Sequence, residues 1–326
     1  MDVTTENWLI SLWLVVSGAC VGSFLNVVVY RMPMGLSVTH PGSHCPQCKH
    51  PVRWYDNIPV VSWIWLQGKC RDCGESFSIR YAMIEALVAL IFLLIGYCEG
   101  LTGGSNLPST FRLTVPLEVF YSDFTNWILC VYHLTLICTL ICLVLIEYDQ
   151  QTVVRKLFGF ALLVGLLAPP VWPFLHPARA TAPWLAMSTP SWEAFASAVT
   201  GFAAGTVLAL FALAFRGLRG SPLISAILCS GIVGSFLGWW LDLGWKAATA
   251  IVTTTVAFDL FSNRNYQKIP WTGPLLVTTT IWTLAWKTIV TRFPFLEDPS
   301  YWQTFVAALL LVFLCALPSL WKKRRY

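Results

Sequence analysis

The chain has 326 residues, 56% hydrophobic and 14% aromatic, with only 11% charged. A water-facing globular chain carries about a quarter charged residues, so this composition excludes a disordered protein and argues against a single soluble domain. A formal net charge of +5 is too small to point to nucleic acid, and a mean hydropathy of +0.66 makes lipid the expected solvent.

A membrane-crossing helix needs about 20 mostly apolar residues. Stretches of that kind occur near 8–30, 82–98, 126–146, 157–175, 192–215, 222–243, 246–262, 270–290 and 301–321. The expectation is an all-α polytopic membrane protein of nine transmembrane helices. The first stretch follows Asp2 and Glu6 rather than a basic run and lacks a small-residue cleavage site, so it reads as an uncleaved span. Lys and Arg are retained on the cytoplasmic side of membranes. With the N-terminus outside, sixteen of the 21 basic residues fall on inside segments, including the tail Lys322, Lys323, Arg324 and Arg325. The topology is therefore read as N-out, C-in, with the tail as an anchor at anionic lipid.

Three regions follow: a first helix over 1–30, a cytoplasmic loop over 31–80 and a multi-span membrane domain over 81–326. The outside segments 99–125 and 176–191 read as connectors, and no internal repeat stands out. Seven of the 11 cysteines are scattered in or beside spans, where a lone Cys is a small apolar packer. The other four form Cys45-Pro-Gln-Cys48 and Cys70-Arg-Asp-Cys73, both in the loop. Two such pairs at zinc-ribbon spacing predict a closed four-thiolate Zn²⁺ site of structural rather than catalytic type. A reducing compartment disfavours the alternative, a redox pair.

At this loop the sequence resembles a known family. Gly22-Ser23-Phe24-Leu25-Asn26 near the end of the first span is followed by Arg31, the two cysteine pairs and, between them, Asn57-Ile58-Pro59-Val60-Val61-Ser62-Trp63. Gly68-Lys69-Cys70, Ser78-Ile79-Arg80-Tyr81 and Glu85 come next. This order is similar to the N-terminal region of type IV prepilin leader peptidase/N-methyltransferases over about residues 20–90. Further on, Leu145-Ile146-Glu147-Tyr148-Asp149, Gly234-Ser235-Phe236-Leu237-Gly238 and Lys268-Ile269-Pro270-Trp271-Thr272-Gly273-Pro274 resemble later motifs of that family.

The resemblance implies an enzyme of the bacterial inner membrane that cuts the leader of a prepilin and methylates the new N-terminus with S-adenosylmethionine. Its partners are pilin-like proteins of pilus or type II secretion assembly, and the lipid bilayer, with no nucleic acid. Proteolysis in such enzymes uses two Asp residues, because one carboxylate activates water while the other, protonated, assists the carbonyl. This sequence departs from that pattern. Glu147 stands at the first acidic position with Asp149 two residues on, and counting back from Gly234 puts Ala226 at the second. Asp259 is a candidate second acid, or an interfacial partner of Arg264; Glu147 and Asp149 are candidate acids, or charges marking a helix end.

For methyl transfer the resemblance points to Gly68. Asn26 and Arg31 supply an amide and a guanidinium able to hold a carboxylate or peptide terminus, although Arg31 equally suits a membrane anchor and Gly68 an ordinary turn. Glu85 either meets Arg80 or lines the site, and Trp54, Trp63 and Trp65 read as packing the loop against the membrane interface. Three readings remain open: a peptidase with a rebuilt acid pair, a member that only methylates, and a non-enzymatic assembly factor for pilin-like helices.

Overall fold

The computed structural model describes residues 3–107, 119–151, 154–176, 191–214, 221–238, 270 and 272–292. All regular structure among them is helical, apart from two isolated bridges in the loop, His44 to Pro51 and Lys69 to Ser76. The chain divides into two compact units, Met1–Tyr97 and Cys98–Tyr326.

In the first unit, α1 (Val3–Arg31) and α3 (Arg80–Ile95) pack together, with the short helix α2 (Val61–Trp65) in the loop between them. A Cβ on Gly22 would sit 2.7 Å from the Glu85 Cα, so its absence is what lets the two backbones approach. Away from that seam α1 is apolar and open, with Trp8, Leu12 and Trp13 more than half exposed. A helix that shows apolar side chains outward is suited to lipid.

In the second unit α4 (Val119–Tyr148) is the central element, touching α5 (Arg155–Val171), α7 (Ser221–Leu237) and α8 (Thr272–Arg292). Its Leu136, Ile137, Leu140 and Ile146 have no exposed surface. The most extensive helix pairing in this unit joins α6 (Ser191–Ala214) to α7. There Gly201 and Gly234 face each other so closely that a Cβ on either would clash with the other's carbonyl. Close crossings at small residues are how helices gain van der Waals contact when lipid removes the hydrophobic drive between them. Thr278, Thr279 and Thr283 bond their hydroxyls to carbonyls one turn back, at 2.6–3.0 Å, which hides polar groups inside α8.

Among the described residues, four helical stretches are long and apolar enough to cross a membrane: Glu6–Arg31, Arg80–Leu101, Phe124–Tyr148 and Glu193–Leu210. Leu223–Leu237 is a shorter apolar helix. The expected spans at 246–262 and 301–321, and the basic tail, lie outside the described residues.

Candidate functional site

The loop between α1 and α3 is organised by its cysteines. The Sγ atoms of Cys45, Cys48, Cys70 and Cys73 all lie within 4.8 Å of one another and can hold a metal ion. The Cys45–Cys73 and Cys48–Cys70 sulfur separations are 3.7 and 4.0 Å. A tetrahedral thiolate site with metal–sulfur bonds of about 2.3 Å has edges of about 3.8 Å. The two knuckles are built alike: Lys49 N–H donates to Cys45 O and Gly74 N–H to Cys70 O, while Cys45 N–H reaches His50 O and Cys70 N–H reaches Glu75 O. Lys49 and Gly74 both take left-handed backbone, at φ +62° and +75°. This repeat in backbone form is invisible as sequence similarity, because Lys and Gly, or His and Glu, occupy equivalent places.

Packing the four thiols together separates their acidities. The Cys48 backbone N–H is the largest influence on Cys45 and brings it down to about 7. The Glu75 backbone N–H pulls Cys73 down, but desolvation and the neighbouring thiols outweigh it and push this group up to about 12. Four thiolates therefore require a cation among them.

Beside the cluster lies a cavity of about 610 Å³ within the first unit. Asn26, Arg31, Asp56, Gly68 and Glu85 all line it. Asn26 Nδ2 donates to Tyr81 O at 3.2 Å, tying α1 to the start of α3. Arg31 donates to the carbonyls of Ser37, Pro41 and Gly42 at 2.7–3.3 Å, so its guanidinium gathers the segment leaving α1. Gly68 has φ +67°, and a Cβ there would meet the Trp63 indole at 2.9 Å. The indole in turn donates to Phe77 O at 3.2 Å. Trp54 and Trp65, by contrast, are 81% and 78% exposed.

The acids on the cavity wall differ. Asp56 takes a bidentate fork from Arg71 at 2.6 and 2.8 Å, and Asp72 accepts from Arg53 at 2.9 Å. The bond from Arg71 is the main reason that the Asp56 carboxyl is held below its ordinary range. Glu85 Oε2 instead accepts the backbone N–H of Val60 at 2.7 Å. Val60 sits at φ +63°, a conformation that β-branched residues avoid and that surrounding contacts must enforce. The sequence holds no signal for that strain, because Val60 stands in an ordinary apolar run.

In the second unit α4 ends at Tyr148, with Gln150 in left-handed backbone and Gln151 N–H bonded to Ile146 O. Half-buried Glu147 accepts a hydrogen bond from the Thr272 hydroxyl at 2.5 Å, across from the first turn of α8. Thr272 belongs to the Lys268–Pro274 block that resembles a family motif, and nothing in that block signals its pairing with Glu147. Ala226 and Cys229 are fully buried on α7, and Glu147 lies within electrostatic reach of the Cys229 thiol. Asp149 is half-buried at the helix end. Asp259 and Arg264 lie outside the described residues.

The segment that builds the cavity and the cysteine cluster is the one that comparison singles out. Residues 16–98 match the family described as Bacterial Peptidase A24 N-terminal domain. Over this segment the chain is similar to proteins of the prepilin leader peptidase/N-methyltransferase family. A prepilin leader peptidase/N-methyltransferase of Myxococcus xanthus is 40% identical over 121 residues, covering 37% of this chain and 36% of that protein. One from Dichelobacter nodosus is 30% identical over 175 residues, 45% of this chain and 52% of that protein. A type 4 prepilin-like proteins leader peptide-processing enzyme of Escherichia coli is 43% identical over 97 residues, 24% of this chain and 36% of that protein. The chain thus spans about a third to a half of the length of these relatives. No solved structure matches it.

Proposed function

We propose that this protein is a multi-pass inner-membrane enzyme acting on the N-terminal segments of pilin-like proteins, with methyl transfer carried by the first unit and proteolysis altered in the second. The supporting observation is the cavity of about 610 Å³ in the family-matched segment, a volume within the range of small-ligand sites. The full reading is a nine-helix, N-out/C-in protein organised as a first helix over 1–30, a zinc-bearing loop over 31–80 and a multi-span region over 81–326.

Zinc suits the four thiolates by donor set and by the edges of the tetrahedron, and it supplies structure rather than a reactive position. S-adenosylmethionine, when bound, supplies an electrophilic methyl group; Asn26, Arg31 and Gly68 line the cavity that would hold it. An amine must be neutral to take up a methyl group, so a nearby group has to receive its proton. Asp56 and Asp72 are committed to arginines. Glu85, whose Oε2 holds a backbone N–H, is assigned as the acceptor.

For proteolysis, Glu147 is the candidate acid, and among the described residues its side-chain partner is the Thr272 hydroxyl rather than a second carboxylate. A hydroxyl can orient a carboxylate but does not ionise near neutrality, so it cannot share the acid–base work of two carboxyls. Methyl transfer without cleavage is therefore favoured. The second reading retains cleavage by Glu147 or Asp149 together with Asp259. The third, a binding factor for pilin-like helices, needs only the cavity.

Co-expression with pilin-like substrates, followed by mass spectrometry of their N-termini, separates the three. Methylated but otherwise mature N-termini on a substrate supplied without its leader, with intact leaders on full precursors, support the first reading. Leader removal abolished by Asp259→Asn and by Glu147→Gln or Asp149→Asn selects the second. Co-purification with neither modification selects the third.

A further inference from the structure

A polar cluster separate from the residues described above lies wholly inside the second unit. The helical path of α3 continues as a π-helical turn over Gly96–Leu101, a geometry that recurs at functional sites because it redirects side chains. It carries Glu99, which has no exposed surface. Glu99 Oε1 is bonded to His133 Nδ1 of α4 at 2.8 Å and accepts from Asn106 Nδ2 at 3.2 Å. Its other oxygen, Oε2, has no partner. Asn106, 6% exposed, also leaves its Oδ1 unpartnered.

Turning the amide over does not relieve this. Asn106 Nδ2 donates to Thr283 O of α8 at 2.8 Å, and exchanging N and O would set two acceptors against each other there. The loop is further pinned by Lys287 N–H donating to Asn106 O at 2.7 Å. Two fixed acceptor oxygens on neighbouring, hydrogen-bonded side chains thus lack a donor, and one of them belongs to a carboxylate. Ionisable groups inside an apolar bundle mark functional sites by default.

We infer that Glu99 and Asn106 form a buried binding site for one monovalent cation, supplied either as a proton shared between Oε2 and Oδ1 or as an alkali ion held by the same oxygens. A single carboxylate already facing His133 offers too little charge and too few oxygens for Ca²⁺ or Mg²⁺. The other titratable groups in reach, among the described residues, are the thiols of Cys98 on the turn and Cys130 on α4, with His176 beyond His133. From α8 the cluster receives backbone atoms, and the Lys287 side chain is exposed.

The test uses the full chain in lipid nanodiscs, with apparent Tm read in choline, sodium and potassium chloride at equal ionic strength, and in choline at pH 8 and pH 6. An alkali source raises Tm in sodium or potassium over choline by about 2–4 °C. A proton source raises it at the lower pH instead, because uptake by the native state stabilises where protons are abundant. In that case the infrared spectrum also holds a protonated-carboxyl band that Glu99→Gln removes. Glu99→Gln places an N–H where the cation would sit, so its Tm should match the cation-saturated parent and stop responding. Asn106→Leu, which keeps the Glu99–His133 contact, should also stop responding, whatever its own Tm. The inference is overturned if the parent responds to none of these conditions, if either variant keeps the response, or if Glu99→Gln unfolds early as a broken ion pair would.

Discussion

The two units handle polar groups in opposite ways. In the first, charges and thiols sit in a loop at or near the surface and are joined by contacts within about fifty residues of chain: Arg71 to Asp56, Arg53 to Asp72, Cys45 to Cys73. In the second, the polar contacts are buried or half-buried and join segments distant in sequence: Glu147 to Thr272, Asn106 to Thr283, and His176 to the Phe236 carbonyl at 3.0 Å. A loop without a large core must be held by metal and ion pairs, whereas a helical bundle can bury a polar group only by matching it across helices. Damage to the first unit should therefore be local and linked to metal, and damage to the second should spread through helix packing.

The largest expected effect tests that division most directly. Replacing Cys45 and Cys48 by Ser should abolish binding of about one zinc per chain and unfold the loop, since metal binding in such sites contributes on the order of 10 kcal/mol. Metal analysis and proteolysis at Arg53 and Arg71 would report it, while helical circular dichroism from the second unit should persist. Loss of that signal as well would break the contrast.

Next in size is Gly234→Leu at the α6–α7 crossing, where no Cβ fits. It should cost on the order of 1–3 kcal/mol through overpacking, seen as a lower Tm in nanodiscs with zinc content unchanged. Gly68→Ala is the counterpart in the first unit. It combines a left-handed φ with contact on Trp63 and should cost about 1–3 kcal/mol, seen as weaker zinc retention against a chelator with the second unit unaffected.

The smallest effect is expected of Asp56→Asn. The Arg71 bond lowers the Asp56 pKa in the folded loop, so the pair stabilises at pH above the ordinary carboxylate value and its contribution fades as pH falls through the lowered one. The stability difference between parent and variant should be full at neutral pH and narrow below about pH 4. Thermal unfolding across a pH series would show it, and a difference that grows on acidification would contradict the ion-pair account.

Much of the first unit was legible because its determinants are local. The two Cys-x-x-Cys pairs announced the metal cluster, and the cluster is present with suitable sulfur spacing. The strain at Val60 and its bond to Glu85 were not legible, because an apolar run says nothing of φ until the helices on either side confine it. In the second unit the apolar stretches announced helices, two of which, Phe124–Tyr148 and Glu193–Leu210, reach membrane-crossing length and apolarity among the described residues. Which polar side chains meet was hidden. Glu99 lies in a stretch of connector composition and His133 in an apolar span, and neither position marks the contact between them.

Sequence alone thus determined the helical class, the lipid-suited composition and the chemistry available at the cysteines, since composition, periodicity and short spacings survive without a fold. Only tertiary structure decided that Arg31 gathers its own loop, that Thr272 faces Glu147 and that Glu99 and Asn106 each keep one oxygen without a donor. The Thr272 pairing depends on how two helices more than a hundred residues apart pack, and the other two on turns whose course the surrounding contacts set; neither leaves a pattern in the linear order of residues.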